Sequence, residues 1–231
     1  MLQSISKYKL FLYFLFLIFL SSIFNFKFLE NYQDKFRLKS ININGVSYKE
    51  KKYIEEELNK LKNTSIFNIK KNNVLEILTN FNFIETINVK KIIPSSININ
   101  LSKTSILAKT FINGEEFYIG KNGKFINSNQ IFENYKTATV FGEFKISEFI
   151  NLYNILNNQQ LEIENIEQYY YFKNRRWDLV FSNGLVLKLP SKNKSDSIKI
   201  YKQLIDNDNL INTKIIDLRV FNQIIMTNKN E

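Results

Sequence analysis

The sequence contains no cysteine and no histidine, and it has only two prolines and six glycines among its 231 residues. These absences exclude a thiolate nucleophile, a Cys/His zinc site and an imidazole general base. The six glycines stand apart from one another, so the chain also has no glycine-rich loop for phosphate binding. An enzyme built from this sequence would have to use carboxylates, lysine or serine alone.

Two pairs of acidic residues, Glu115/Glu116 and Glu162/Glu164, are the ones that could resemble the carboxylate pair of a glycosidase. The second pair is spaced two residues apart in a predicted strand over residues 161–172, which is typical of a solvated strand face. No spacing of acidic residues indicates a metal site. The sequence therefore predicts a protein that is not an enzyme and that needs no cofactor.

Basic residues outnumber acidic ones by 32 to 22, which gives a net charge of +10. Only four of the basic residues are arginine, and the lysines are scattered among glutamate and asparagine instead of forming one stripe. Nucleic-acid binding requires a basic patch or stripe. This pattern favours a solvated surface, and a membrane-anchored nucleic-acid binder is the less favoured alternative.

The most apolar stretch covers residues 10–28 and has no charge between Lys9 and Lys27. Seventeen uncharged residues in a helix extend about 26 Å, close to the roughly 30 Å of a bilayer core. We expect a transmembrane helix over residues 10–28, with residues 1–9 cytoplasmic because they carry Lys7 and Lys9. A cleaved signal peptide and a buried core helix are the alternatives, but no small-x-small cleavage pattern follows the apolar run.

Residues 38–101 predict the order β-α-α-β-β. The first strand alternates up to Gly45, and Ser47 with Glu50 forms a capping box at the start of a helix. Asn68 is the predicted cap of the second helix. The residues predicted to face inward from the two helices are Tyr53, Ile54, Leu58, Leu61, Val74, Leu75, Ile77 and Leu78.

Residues 106–227 predict a mostly antiparallel sheet with two helices on one face. Turn sequences at residues 121–123 and 182–184 indicate two hairpins. Helices are expected from Ser147 and over residues 195–206. The last predicted strands cover residues 216–220 and 223–227, and residues 228–231 form a short tail.

Several short motifs in this order resemble the FtsQ/DivIB cell-division family. Residues Ile41, Ile43 and Gly45, followed by Val89, Pro94, Ile97, Ile99 and Leu101, match the family's POTRA domain. The runs Arg175–Leu179 and Ile216–Arg219 match its second domain. The chain departs from the family pattern at Lys103, Ile106 and Gly120, where relatives carry a glutamate, a proline and an acid.

The resemblance implies an α+β protein with a POTRA-like domain at residues 38–103 and a C-terminal β domain at residues 106–227. It implies a non-enzymatic scaffold anchored once in the inner membrane, with its bulk in the periplasm. Its partners would be bitopic division proteins of the FtsB and FtsL type and the septal wall synthesis machinery. The alternative is a POTRA-bearing component of membrane transport or assembly.

The candidate partner-binding site combines an arginine–tryptophan run with the last strand. Arg175, Arg176 and Trp177 have two interpretations, a structural role in the sheet or a contact surface for a partner. Asp217 and Arg219 are predicted to alternate outward, either as a cross-strand ion pair or as partner contacts. Residues 223–227 have no charge and no proline to block an exposed edge, so we expect a partner strand to add there. The full candidate set is Arg175, Arg176, Trp177, Arg219, Val220, Gln223, Ile224, Ile225, Met226 and Thr227.

Overall fold

The computed structural model describes residues 6–23, 33–206, 213–220 and 222–228. The chain divides into two compact units: residues 1–78 with 87–101, and residues 79–86 with 102–231. Five α-helices, twelve β-strands and three short 3-10 turns form within the described residues. The α+β class expected from the sequence is confirmed, whereas the three 3-10 turns were not predicted.

Helix α1 covers Lys7–Ile23 and is seventeen residues long. Its apolar side chains from Leu10 to Leu20 are exposed. Residues 24–28 of the predicted membrane helix lie outside the described residues, as do residues 1–5 and 229–231 of the two predicted chain ends. Within the ranges that the structure describes, no helix combines the length and the apolar character needed to cross a membrane.

The POTRA-like region has the predicted order of elements. The elements are β1 (Ser40–Asn44), α2 (Tyr48–Leu58), α3 (Lys71–Leu78), β2 (Ile84–Ile92) and β3 (Ser96–Lys103). The strands form a three-stranded sheet in the order β1-β3-β2. Strand β1 runs parallel to β3, with Ile43 opposite Ile99, and both side chains are buried.

Helix α2 begins as the sequence predicts. The Ser47 backbone N–H donates to Glu50 Oε2 at 2.8 Å, and the Glu50 N–H donates to Ser47 Oγ at 3.5 Å. Ile54 and Leu58 are buried, but Tyr53 is 38% exposed. The prediction that Tyr53 faces inward is therefore wrong, because one residue turns the helix by about 100° away from the face that Ile54 and Leu58 share.

The second helix, α3, begins at Lys71, so Asn68 is not its cap. The Asn68 N–H instead donates to the Ser65 carbonyl at 2.9 Å in the preceding turn. Gly45 stops β1 with a φ of +90°, and a Cβ at this position would lie 1.8 Å from the Leu101 carbonyl oxygen. Only glycine fits there, because both the backbone angle and the close approach exclude a side chain.

Nine strands form the sheet of the second unit. They are β4 (Ile106–Ile112), β5 (Glu115–Gly120), β6 (Phe125–Asn127), β7 (Thr139–Phe141), β8 (Ile166–Tyr171), β9 (Trp177–Phe181), β10 (Val186–Leu189), β11 (Thr213–Asp217) and β12 (Ile225–Asn228). Their order is β12-β11-β10-β9-β8-β7-β4-β5-β6. Five of the eight pairings are antiparallel, so the sheet is mostly antiparallel as predicted.

Two helices, α4 (Ile146–Asn158) and α5 (Lys194–Asp206), pack on one face of this sheet. The core between them is formed by Phe149, Leu152 and Leu156 of α4, Ile198 and Tyr201 of α5, and Trp177, Leu179, Leu187 and Ile216 of the strands. Because side chains alternate along a strand, Asp178, Val180 and Lys188 lie on the opposite face. That face carries the polar groups described below.

Several element boundaries of the second unit differ from the sequence predictions. Helix α4 begins at Ile146, so Ser147 lies inside it, and residues 163–165 form a 3-10 turn ahead of β8. Strand β11 ends at Asp217 instead of Val220, and β12 begins at Ile225 instead of Gln223. Gln223 and Ile224 therefore precede the last strand.

Candidate protein-binding site

Strand β12 lies at one end of the nine-stranded sheet and pairs with β11 alone among the described strands. The register places Met226 opposite Ile216 and Ile225 opposite Asp217. The strand contains no charged residue and no proline, the two common means of blocking an edge. Within the described part of the chain, no strand pairs with its outer side.

The hydrogen bonds of β11 determine which groups of β12 face outward. The Leu218 N–H donates to the Lys188 carbonyl of β10 at 3.0 Å. Since N–H groups alternate sides along a strand, Ile216 also faces β10, and Asp217 faces β12. The backbone of Ile225 then bonds to Asp217, whereas the N–H and carbonyl of Met226 face the open side. The strand pairing therefore assigns the outward-facing N–H to Met226 and not to Ile225.

Apolar side chains surround this edge. Val220 and Ile224 are each 47% exposed, Ile225 is 48% exposed, and Met226 is 38% exposed. Ile225 and Thr227 lie on the face away from the helices, because their partners Asp217 and Ile215 lie there. Met226 points to the helix face with Ile216. A strand added at this edge would meet apolar side chains on both faces.

A row of charges crosses the sheet toward the same edge. The register aligns Asp178 of β9, Lys188 of β10, Asp217 of β11 and Ile225 of β12. Burial raises the pKa of the Asp178 carboxyl, against the opposing effect of Arg176, Lys188 and Arg219. Asp178 Oδ1 is buried and has no hydrogen-bond partner among the described residues. Neither Asp178 nor Lys188 is among the predicted site residues, because only the strand register brings the two together.

Arg219 forms an ion pair with Asp217 next to this edge. The Arg219 Nε–H donates to both carboxylate oxygens, at 2.8 and 2.9 Å, and the Nη2 group also contacts Oδ2. Hydrogen bonding from Arg219 lowers the pKa of the Asp217 carboxyl. The predicted cross-strand pair is wrong, since Asp217 is the buried last residue of β11 and Arg219 follows it on the same segment.

The arginine–tryptophan run lies away from the edge. Trp177 is 2% exposed and contacts the rings of Phe149 and Tyr171 in the core, so the structural interpretation applies to it and the contact-surface interpretation does not. The Arg176 guanidinium stacks 4.1 Å from the centre of the Phe172 ring. Arg175 is exposed in the β8–β9 turn with a φ of 63°. Strand β9 is three strands from β12, about 14 Å, so neither arginine borders the edge.

The acidic pairs are not arranged as a catalytic dyad. Glu162 and Glu164 are exposed, and because Glu162 precedes a 3-10 segment and Glu164 lies within it, they do not share a strand face. Glu116 pairs with Lys109 at 3.1 Å. Over the described parts of the chain, no group of three or more acidic residues is placed to hold a metal ion.

Two departures from the family pattern have a local explanation. Lys103 Nζ contacts Glu133 Oε1 at 2.8 Å, and this hydrogen bond, with a second from Tyr135, lowers the pKa of Glu133. A Cβ at Gly120 would lie 2.5 Å from Asn122 Oδ1 and 2.8 Å from Thr104 Cγ2, so an acidic residue there would require these two side chains to move. Ile106 is the half-buried first residue of β4, and nothing in the structure explains why it replaces proline.

The chain matches two known protein families. The FtsQ-type POTRA domain family matches residues 36–103, and the family described as "Cell division protein FtsQ/DivIB, C-terminal" matches residues 111–219. Cell division protein FtsQ of Rickettsia bellii (strain RML369-C) is 29% identical over 187 residues, which cover 80% of this chain and 69% of the relative. FtsQ of Rickettsia typhi (strain ATCC VR-144 / Wilmington) is 26% identical over 192 residues, 80% of this chain and 70% of the relative.

Part of the chain is also similar to solved structures. The major extracytoplasmic domain of the trans isomer of DivIB from Geobacillus stearothermophilus aligns with a TM-score of 0.32 at 12% identity, covering 48% of this chain and 98% of that one. The two matched families, in this order along the chain, define a POTRA-bearing cell division protein. The chain belongs to the FtsQ/DivIB family.

Proposed function

We propose that this chain is a non-enzymatic scaffold of the bacterial division machinery that captures a partner protein by strand addition to β12. The observation that carries the proposal is the open edge of β12, with the backbone of Met226 facing outward and four exposed apolar side chains beside it. In strand addition, main-chain hydrogen bonds supply affinity and alternate side chains supply specificity.

Two faces of the edge would recognise the partner's side chains. Ile225 and Thr227 lie on the face away from the helices, near the Asp217–Arg219 ion pair. Arg219 keeps about a third of its side chain exposed, 34%, beyond its contact with Asp217. An acidic residue of the partner strand would meet this cation, while Met226, Ile224 and Val220 would contact apolar residues. Gln223 lies just before this surface.

The proposed partners are bitopic division proteins of the FtsB and FtsL type, which the scaffold would bring to the septal wall synthesis machinery. The proposed location is the inner membrane, with residues 10–28 as a single anchor, residues 1–9 in the cytoplasm and the two folded units in the periplasm. Membership of a division protein family supports this assignment, as does the apolar character of residues 10–20.

The test uses the full chain, solubilised in detergent and co-expressed with FtsB- and FtsL-type partners. Met226→Pro removes the outward N–H but leaves the bonds between β12 and β11 in place, which edge strands tolerate. We expect capture of the partners to fall at least about tenfold, the effect of roughly 1.4 kcal/mol, while circular dichroism stays unchanged. Met226→Leu keeps the N–H and is the matched control, with capture near that of the parent.

Ile225→Pro separates binding from folding. The Ile225 N–H faces β11, so its loss should lower the stability of the sheet edge itself. If Met226→Pro stays folded and still captures the partners as well as Met226→Leu does, β12 is not the interface.

A further inference from the structure

Three chain segments meet at the end of the three-stranded sheet where β1 begins. The Leu38 N–H donates to the Thr64 carbonyl at 2.9 Å, and the Ile66 N–H donates to the Phe36 carbonyl at 2.8 Å. Lys91 Nζ donates to the Ile66 carbonyl at 2.8 Å. The Lys39 N–H donates to the Ser95 carbonyl at 2.8 Å. Residues 33–39, 62–71 and 90–96 therefore form one surface, here called the entry surface.

The entry surface exposes large apolar side chains. Phe67 is 61% exposed and Ile93 is 64% exposed, and the neighbouring Ile92 is 43% exposed. The Phe67 ring lies 5.3 Å from the ring of Phe36, centre to centre. Two exposed isoleucines and an aromatic pair in adjoining segments are unusual on a surface that faces only water.

The same segments are strongly basic. They contain eight basic residues and a single acidic one, Asp34. The basic residues are Lys35, Arg37, Lys39, Lys62, Lys70, Lys71, Lys90 and Lys91. Asp34 already pairs with Arg37 at 2.8 Å, so seven lysines have no acidic residue within these segments to balance them. This balance is more one-sided than that of the whole chain, with 32 basic and 22 acidic residues.

The entry surface is also where the chain arrives from its apolar stretch. Gln33 is ten residues beyond Ile23, the last residue of α1, and ten residues reach at most about 34 Å. If α1 belongs to a membrane anchor, as the proposed function holds, the entry surface is tethered within that distance of the bilayer. The inference below rests on that part of the proposed function.

We infer that the entry surface rests on the headgroup region of an anionic phospholipid bilayer. Phenylalanine and isoleucine side chains partition into the interface between headgroups and acyl chains, and nearby lysines are attracted to anionic headgroups. The combination of exposed apolar groups, excess positive charge and a short tether fits a lipid surface. The contact would hold the POTRA-like region against the membrane and fix the direction in which it leaves the anchor.

The absence of cysteine gives a clean test, because each introduced cysteine is the single labelling site in the chain. Full-length Phe67→Cys and Ile93→Cys carry an environment-sensitive fluorophore and are reconstituted into vesicles with roughly 30% anionic lipid and a nitroxide quencher at the headgroup level. Tyr48→Cys is the matched control. Tyr48 is 82% exposed and lies beyond the other end of β1. Leu15→Cys on α1 reports on the anchor.

We expect quenching at positions 67 and 93 to exceed that at position 48 by at least about threefold, as for side chains at the headgroup level. Wholly zwitterionic vesicles, or salt raised to about 0.5 M, should reduce this excess because the attraction is screened. The paired change Lys39→Glu and Lys90→Glu should do the same for the position 93 label. Both lysines are exposed.

Two results would overturn the inference, and they differ. If the Leu15 label is in the bilayer but positions 67, 93 and 48 are quenched alike, the entry surface does not contact lipid and the anchor stands. If the Leu15 label remains in water, the anchor itself is wrong and the inference falls with it.

Discussion

At the scale of single residues, two aspartates on one sheet face have opposite effects on stability. Hydrogen bonds from Arg219 lower the pKa of Asp217, whereas burial raises the pKa of Asp178. A lowered pKa in the folded state gives stability that is present above the unfolded pKa of about 4 and is lost as the pH falls. A raised pKa in the folded state has the opposite effect. It lowers the stability of the fold as the pH rises from the unfolded pKa of about 4 through the raised, folded-state pKa.

Replacing each aspartate by asparagine tests this pair. At pH 7, Asp217→Asn should lower the free energy of unfolding by about 1–2 kcal/mol, the low end for hydrogen bonds to charged groups because Arg219 is partly exposed. Asp178→Asn should raise the free energy of unfolding slightly. Near pH 3 both differences should shrink, since the wild-type carboxyls gain protons. The probe is the fluorescence of Trp177, the single tryptophan, during urea unfolding. If Asp217→Asn changes the free energy of unfolding equally at pH 7 and at pH 3, the result would contradict the lowered pKa of Asp217.

At the scale of elements, α2 shows how one buried face holds the POTRA-like region together. Leu58 and Ile54 are fully buried, whereas Tyr53 on the same helix is half exposed. Leu58→Ala should cost about 2–5 kcal/mol through lost burial and a residual cavity. Tyr53→Ala is the matched control and should cost less than about 1 kcal/mol. Amide hydrogen exchange of α2 and β1 measures both. Equal protection in the two variants would mean that the helix face is assigned wrongly.

Local sequence rules predicted those elements whose ends are fixed by a few neighbouring residues. The Ser47–Glu50 capping box, the stop at Gly45 and the turn at residues 182–184 all depend on groups at most a few positions apart or on a required backbone angle. These interactions are local, so the sequence contains them directly.

The candidate site was predicted less well because it depends on pairing between distant segments. The ends of β11 and β12 were placed up to three residues away from their observed positions. Trp177 has the residue type of an interface anchor, but the packing of α4 against β8 and β9 buries it. Which N–H of β12 faces outward follows from the bonds between β10 and β11, and no pattern within residues 223–227 could show it.

At the scale of the whole molecule, the proposed membrane contact and the proposed partner binding belong to different parts of the chain. The POTRA-type region and the C-terminal FtsQ/DivIB region match their families separately, at residues 36–103 and 111–219. The proposed partner edge, β12, follows the second matched region, and the proposed lipid contact is formed by three segments, residues 33–39, 62–71 and 90–96, most of which lie within the first. Membrane contact and partner capture would therefore use different units of the chain.

These two proposed functions require one orientation of the chain across the membrane. Lys7 and Lys9 precede the apolar stretch, and positive charge next to such a stretch favours the cytoplasmic side. Everything after residue 28 should then lie outside the cytoplasm, where a bitopic partner could reach β12. A reporter fused after Glu231 that is active only in the periplasm should be active, and one that is active only in the cytoplasm should not.

Lys7→Glu with Lys9→Glu should reduce the periplasmic reporter signal, because it removes the positive charge that favours this orientation. N-terminal sequencing of the mature protein separates an anchor from a cleaved leader, and a start beyond residue 20 would rule out the anchor even if the reporter is periplasmic.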